Sequence, residues 1–432
     1  MAGVDTLPAT TPPRPDAGGL VTATKPSVPG EPALRWSSRV HSISEIEQEL
    51  ARIWAVPNLV VNVGGVEERH IAARTSVMNL VVVARRPEIG ERAAATIQQL
   101  TGRHPSRTLI LSSADVESRS WLDAQIRAYC VLPREDAAET CAEQIYITAG
   151  GAAGRHLAAI VAPLLIHDLP VVLWWPGEPP FETEAARDLF SMADRIVVDG
   201  SSWTGDGLAR IRQLAEVMDR YRLVVGDFAL MRQSRWREAI ASVFDLPDFL
   251  PHLPWLRRIA VTYGTHDPTG APGSTNVIKP VYHVAWLASR LGMSVERPLA
   301  PVAMPRLARP SKSARPPHAG AKQPLHRGLA TTLRSHKTEV AVVVRPVESR
   351  MPAGTTLRVE LLAERRGSEL RADVTAEAET VHVRVWLDGV TALERSFLSA
   401  RRTEVDLLAE AIEGGADPIA RDILRVAARL AG

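Results

Sequence analysis

The residues best placed by type and spacing to do chemistry lie in ITAGGAAGRHLA (147–158). An apolar strand-like run ends in Ala149, Gly150 and Gly151, and Gly154 follows as a helix-like run begins. Glycines in a strand-to-helix turn let a pyrophosphate approach the backbone, and a helix N-terminus favours its charge. Arg155 adds a cation for a phosphate. Glu178, beyond the following strand, stands where a ribose-binding acid belongs in the dinucleotide fingerprint. Ala149, however, takes the first glycine position of G-x-G-x-x-G, and Glu178 sits among prolines. Gly150, Gly151, Gly154 and Arg155 are thus a candidate anion site. The competing reading is that these glycines only allow tight packing of helix on strand.

Other chemistry-bearing residues are less organised. His167-Asp168 has no serine or cysteine nucleophile beside it in a recognisable motif, and both residues suit a helix exit. HPSR (104–107) joins helix to strand at the end of the sheet opposite the ligand-binding loops of open α/β folds, where Arg107 suits a salt bridge or a partner contact. There is no phosphate loop of the G-x-x-x-x-G-K-[ST] kind, no G-x-S-x-G elbow and no H-E-x-x-H helix. Twelve histidines are scattered without metal-ligand spacing. No catalytic residue, metal set or cofactor is assigned.

LPVVLWWPGEPPF (169–181) places two tryptophans at the carboxyl end of an apolar strand, where such folds build their clefts. Successive strand residues point to opposite faces, so one indole is expected under helices and the other nearer the cleft. Pro176, Pro179 and Pro180 stiffen the exit. Trp174, Trp175 and Glu178 are therefore candidates for partner binding, against core packing of both rings.

These residues need elements to hold them. MNLVVVA (78–84), RTLILSS (107–113), EQIYITA (143–149), PVVLWW (170–175), RIVVD (195–199) and RRIAVTY (257–263) read as strands. They alternate with amphipathic helices at 42–56, 86–102, 152–166, 205–220, 227–244 and 277–292. WLDAQIRAYCVLP (121–133) alternates like a half-exposed strand. Apolar strands separated by helices make an α/β fold with a mainly parallel sheet flanked by helices. Residues 338–389 switch to serial alternating strands and end in helices at 402–412 and 416–431. That pattern predicts a smaller α+β domain with an antiparallel sheet and helices on one face.

The expected organisation is a disordered tail at 1–40, rich in Pro, Thr and Ala; an α/β domain at 41–297; a basic Pro-rich linker at 298–337; and the α+β C-terminal domain at 338–432. The linker carries no Asp or Glu, but it also has no aromatic residue to stack bases, so nucleic acid is not the expected partner. A net charge of +2 argues the same way. No apolar run approaches membrane-spanning length and no leader is visible, which points to the cytoplasm. Cys130 and Cys141, the chain's two cysteines, are expected as small buried hydrophobes in a reducing compartment, a transient bridge being the alternative.

RTSVMNLVVVA (74–84), HPSRTLIL (104–111), IVAPLLIHDLPVVLWWPGEPPF (160–181), ADRIVVDGSSW (193–203) and DFALMRQSRWREAIASVFD (227–245), in that order, resemble the OpcA family of glucose-6-phosphate dehydrogenase assembly proteins. The resemblance runs over 42–295, and 338–431 looks like the family's C-terminal domain. It implies a non-catalytic protein that binds glucose-6-phosphate dehydrogenase, promotes its active oligomer and supports NADPH production in the oxidative pentose phosphate pathway. Cyanobacterial members are associated with redox control through C-terminal cysteines; residues 142–432 here contain none. The alternative is a nucleotide- or sugar-phosphate-binding enzyme or sensor using the turn at 149–155.

Overall fold

The computed structural model describes residues 19–20, 30–55, 59–63, 66–70, 72–74, 76–114, 119–132, 139–267, 274–305, 325–377, 379–415 and 417–432. The chain packs as two compact units, Met1–Val171 and Val172–Gly432.

The first unit contains β1 (Pro32–Val40), α1 (Ile43–Ala55), β2 (Met78–Ala84), α2 (Pro87–Gln98), β3 (Ser106–Ser113), β4 (Trp121–Val131) and β5 (Glu139–Gly150). Its strands lie in the order β1-β4-β5-β3-β2. β5, β3 and β2 are parallel, while β4 and β1 add antiparallel. Every residue of β2 is buried, as both faces of a covered parallel strand must be. Ile46, Leu50 and Ile53 give α1 its buried stripe.

Two expectations are corrected in this unit. Pro32–Val40 is not part of a disordered tail; it is a strand paired with β4, burying Trp36 and Val40. Its own sequence, PALRWSSRV, has too few apolar residues to announce a strand, and the partner supplies the missing ladder. Residues 1–18 and 21–29 of the expected tail lie outside the described residues. Cys130 and Cys141 are not separate thiols. The β4·β5 register sets them opposite each other, and they form a disulfide.

The second unit opens with β6 (Val171–Trp175), α5 (Glu184–Met192), β7 (Arg195–Val198), α6 (Leu208–Tyr221), β8 (Val224–Asp227), α7 (Phe228–Met231) and α8 (Ser234–Phe244). β6, β7 and β8 run parallel. β9 (Leu256–Thr265) and α9 (Ile278–Arg290) follow. Then come β10 (Ala300–Pro305), β11 (Leu325–Arg334), β12 (Glu339–Glu348), β13 (Thr356–Arg365), β14 (Ser368–Glu377), β15 (Thr380–Leu387) and β16 (Val390–Leu398). α10 (Glu404–Glu413) and α11 (Pro418–Ala431) close the chain.

The second sheet has the order β11-β12-β9-β13-β14-β15-β16, with β10 on β11. β9 is parallel to β12 and antiparallel to β13. The strand read at 257–263 therefore belongs to the antiparallel-rich sheet, not the parallel one. A strand buried on both faces looks the same in either setting, so only its distant partners decide. The C-terminal sheet is accordingly larger than expected. The expected linker at 298–337 contains β10 and β11, paired across Ala300–Pro305 and Leu325–Arg334; residues 306–324 lie outside the described residues. α8 packs on β14 and β15, and α9 on β9, β12 and β13. Of the closing helices, α11 packs mainly on α6 and α9, with Arg425 paired to Asp219 at 2.8 Å.

Candidate functional site

β5 delivers the glycine turn, and the turn is filled from within. A side chain on Gly150 would meet the Trp121 indole at 2.2 Å, and one on Gly154 would meet the Ala149 carbonyl at 2.8 Å. Gly151 has φ +59° at the first position of α3 (Gly151–Arg155), a helix of five residues, so the left-handed entry calls for glycine. The Ala153 amide donates to Ser120 Oγ at 3.2 Å, and Ser113 Oγ donates to the Gly154 carbonyl at 3.2 Å. Arg155 is exposed. The expected single helix 152–166 is broken into α3, α4 (Leu157–Val161) and a 3-10 turn.

Both tryptophans of the WWPGEPP stretch are buried, at 0% and 3% exposure. Trp174 meets Phe228 with ring centres 6.3 Å apart, and Trp175 meets Phe190 at 5.9 Å. Phe181 stacks on Phe190 and abuts Trp203 edge-on. The expectation of one core indole and one near a cleft does not hold, because α5 and α7 supply an aromatic partner on each side of β6.

Glu178 lies just beyond β6. It accepts from the Thr204 amide at 2.9 Å, the Thr204 hydroxyl at 2.7 Å and Arg210 Nε at 2.6 Å. Partial burial pushes its carboxyl up, but the Thr204 and Arg210 contacts outweigh that and hold it below the usual range. Sequence reasoning missed its two counterparts. Asp199, after β7, binds Arg232 at 2.9 Å and the Ser201 amide at 3.1 Å. Asp227, ending β8, accepts from the Gly200 amide at 2.9 Å, the Ala229 amide at 2.8 Å and Tyr282 Oη at 2.6 Å. Burial and nearby Asp199 push the Asp227 carboxyl up to about 6 against those three donors. The signal was present: RIVVD and LVVGD each end an apolar run in an acid.

Asn276 completes the edge by donating to the Gly200 carbonyl at 2.9 Å and the Trp203 carbonyl at 3.0 Å. Nearby, burial and then the Arg232 guanidinium lower Lys279, against the pull of Asp199 and Asp227. The carboxyl ends of three parallel strands are where α/β folds hold ligands. Here the acids at those ends are engaged by this chain's own amides, hydroxyls and arginines.

The first unit has an open counterpart. A cleft of about 260 Å³ lies over the carboxyl ends of β2, β3 and β5, lined by Arg86, Ser112, Gln125, Tyr146 and Thr148 among others. Ser112 and Thr148 share a hydroxyl hydrogen bond of 2.9 Å. Arg127 lies over the Tyr146 ring at 4.3 Å, and burial pushes the Tyr146 hydroxyl above its ordinary range. At the opposite end of these strands, Arg107 pairs with the fully buried Glu143 at 2.6 Å and donates to the Leu164 carbonyl at 2.9 Å. His167 and Asp168 are exposed in a turn, Asp168 with φ 65°. Among the described residues no group of three His, Cys, Asp or Glu is arranged to hold a metal, and no helix is long and apolar enough to cross a membrane.

The class defined by these features is a Rossmann-like α/β protein, continued into an antiparallel-rich sheet, whose second set of strand ends is closed by its own side chains. Residues 97–216 match the family model for the glucose-6-phosphate dehydrogenase subunit N-terminal domain, and residues 224–418 match that for its C-terminal domain. Together these matches span well over half of the sequence, and the chain belongs to the OpcA family of glucose-6-phosphate dehydrogenase assembly proteins. The OxPP cycle protein OpcA of Synechocystis sp. is 25% identical over 195 residues, 44% of this chain and 38% of that protein. The match thus spans less than half of the relative's length. Among solved structures, a super-repressor mutant of Gal80p from Saccharomyces cerevisiae is 10% identical with a TM-score of 0.41, covering 78% of this chain and 86% of that one. A dehydrogenase (MviM) from Clostridium difficile is 10% identical with a TM-score of 0.32, covering 76% and 86%. Likeness at that level carries no functional argument.

Proposed function

We propose that this protein is a non-catalytic assembly factor of the cytoplasm that binds glucose-6-phosphate dehydrogenase and favours its active oligomer, supporting NADPH production. The observation that carries this reading is the pair of consecutive family matches, 97–216 and 224–418. The closed strand ends at Glu178, Asp199 and Asp227 are in keeping with it. An activator of this kind acts by binding the active form more tightly, and a preference of roughly 1–3 kcal/mol shifts the balance about 5- to 150-fold. Trp174 and Trp175 serve this role as scaffold, and Glu178 by pinning the loop beside them. The test is co-elution with the dehydrogenase from the same organism, together with its specific activity and sedimentation with and without the purified chain. No co-elution and no change in activity would discard the proposal.

The cleft over β2, β3 and β5 favours a second reading, a sensor for a small phosphorylated metabolite. Its hydroxyl pair suits a polyol, and Arg86 at the start of α2 suits an anion. Calorimetric titration with glucose 6-phosphate and NADPH separates the two. Saturable binding abolished by Ser112→Val and Arg86→Ala supports the sensor; absence of heat at millimolar ligand removes it.

A further inference from the structure

β16 is the last strand of its sheet, and among the described residues it pairs with β15 alone. Its nine residues, VTALERSFL, include neither proline nor glycine. The register against β15 slips once, at Ala392, and from Leu393 to Leu398 the outward row of amide and carbonyl groups is continuous. Its two ends, Val390 and Leu398, are 70% and 74% exposed. Natural sheets usually cover, shorten or charge such an edge, because it is a template for another strand.

The face beside this edge is also unfinished. α8 covers β14 and β15, and Val381, Val383 and Val385 of β15 are buried. Their register partners on β16 are Phe397, Arg395 and Leu393, of which Arg395 is exposed and the two apolar residues are only half covered. Between α8 and this part of the sheet runs a groove of about 880 Å³. Arg235 and Glu238 line one wall, and Thr380, Val381 and Leu398 the other. The groove meets β16 at Leu398, the carboxyl end of the strand, so a strand added to β16 would finish the face and reach the groove at that end.

A second copy of this chain is a poor occupant. A two-fold axis normal to the sheet sets one residue of the strand opposite itself, and the register of greatest overlap sets Glu394 against Glu394. Charge describes a better one. The acids here are already engaged: Glu394 with Arg384, Glu238 with Arg235 at 2.7 Å, Glu410 with Arg402, and Asp406 with the Thr403 amide and hydroxyl that cap α10. The guanidiniums of Arg395 and Arg401 make no hydrogen bond or ion pair with any described residue. The uncompensated charge is positive both on the strand, at Arg395, and in the groove at its end, at Arg401.

We propose that β16 and its groove are the docking surface for an extended acidic segment of the dehydrogenase, which adds to the sheet as a further strand and sets carboxylates against Arg395 and Arg401. Backbone pairing supplies affinity, and the two guanidiniums supply charge selection. This rests on the assembly-factor reading and extends it by naming the surface and the partner's chemistry.

Cys130 and Cys141 are bonded to each other and are the chain's two cysteines, so a cysteine introduced at Ala392 can carry a bulky maleimide label alone. The experiment compares labelled Ala392→Cys, the double variant Arg395→Glu/Arg401→Glu, and labelled Glu216→Cys on α6 as a control. Affinity for the dehydrogenase, melting temperature and sedimentation are measured for each. Both β16 variants are expected to lose about tenfold or more in affinity with melting temperature unchanged, the charge variant losing less at high salt; the control binds as the unmodified chain does. Unchanged affinity in both β16 variants overturns the proposal. So does a dimer of the free chain that the Ala392 label abolishes, since the edge would then be a self-contact. Failure of the unmodified chain to bind the dehydrogenase is a different result: it removes the assembly-factor reading itself.

Discussion

Two buried titratable residues set opposite pH dependences. Asp227 is held near 6, above its unfolded value near 4. The folded state keeps a proton that the unfolded state has lost, so stability falls as pH rises from about 4 to about 6. Asp227→Asn retains an acceptor for the two amides and removes the ionisation. We expect its unfolding free energy, from urea titrations at each pH, to be flatter than the wild type's across that window by about 1 kcal/mol per pH unit. His283 is the reverse case. Burial, then Arg237, lowers it to about 3, and it packs against Trp236 at 5.2 Å with neither ring nitrogen bonded to a described residue. Stability is lost as pH falls from about 6.5 towards 3, because the unfolded chain takes up the proton first. The advantage of His283→Leu over the wild type should therefore grow steadily as pH falls from about 6.5 towards 3, and equal gains at pH 5 and pH 8 in thermal melts would refute the assignment. The sequence marked Asp227 only as an acid closing an apolar run, and it gave no sign of either residue's shifted titration. A lone His in an apolar helix and an Asp after an apolar strand are common, and their neighbours Arg237 and Tyr282 are set by tertiary packing.

At the scale of elements, what could be read from sequence is what depends on local periodicity. The runs MNLVVVA, PVVLWW and RIVVD are strands because continuous apolar residues have few other homes, and Gly150 and Gly154 mark a tight turn as their type requires. What failed depended on partners far along the chain. RRIAVTY sits between β12 and β13 rather than beside β8, and PALRWSSRV becomes a strand only through β4. α11 turns its buried Ile423, Leu424 and Leu430 towards α6 and α9, a choice that its own amphipathic pattern cannot make. Of the candidate site, the sequence pointed to the right kind of place, strand ends, but assigned the indoles a freedom that α5 and α7 remove. One element-level pair, Arg107–Glu143, bridges β3 and β5 in register. Arg107→Met removes a guanidinium from the buried Glu143 carboxylate, and we expect a loss of about 3–5 kcal/mol in urea unfolding. Replacing both residues by Met should recover most of it; a double variant no better than the single would refute the pairing argument.

For the whole molecule, the two family matches and the uncovered edge at β16 point the same way, towards a protein whose work is done by contact with another. The interior order of the second sheet has a further consequence, for how the chain is made. β9 emerges during synthesis with its apolar face complete, yet its hydrogen-bonding neighbours at 339–348 and 356–365 come much later. At ~5–20 residues per second the ribosome leaves that strand without its neighbours for several seconds. A nascent chain arrested before residue 339 should thus be captured by chaperones and cut readily by protease near β9, whereas one arrested after residue 398 should resist. The time spent waiting for β12 and β13, rather than the stability of the finished sheet, then sets how much protein a cell recovers.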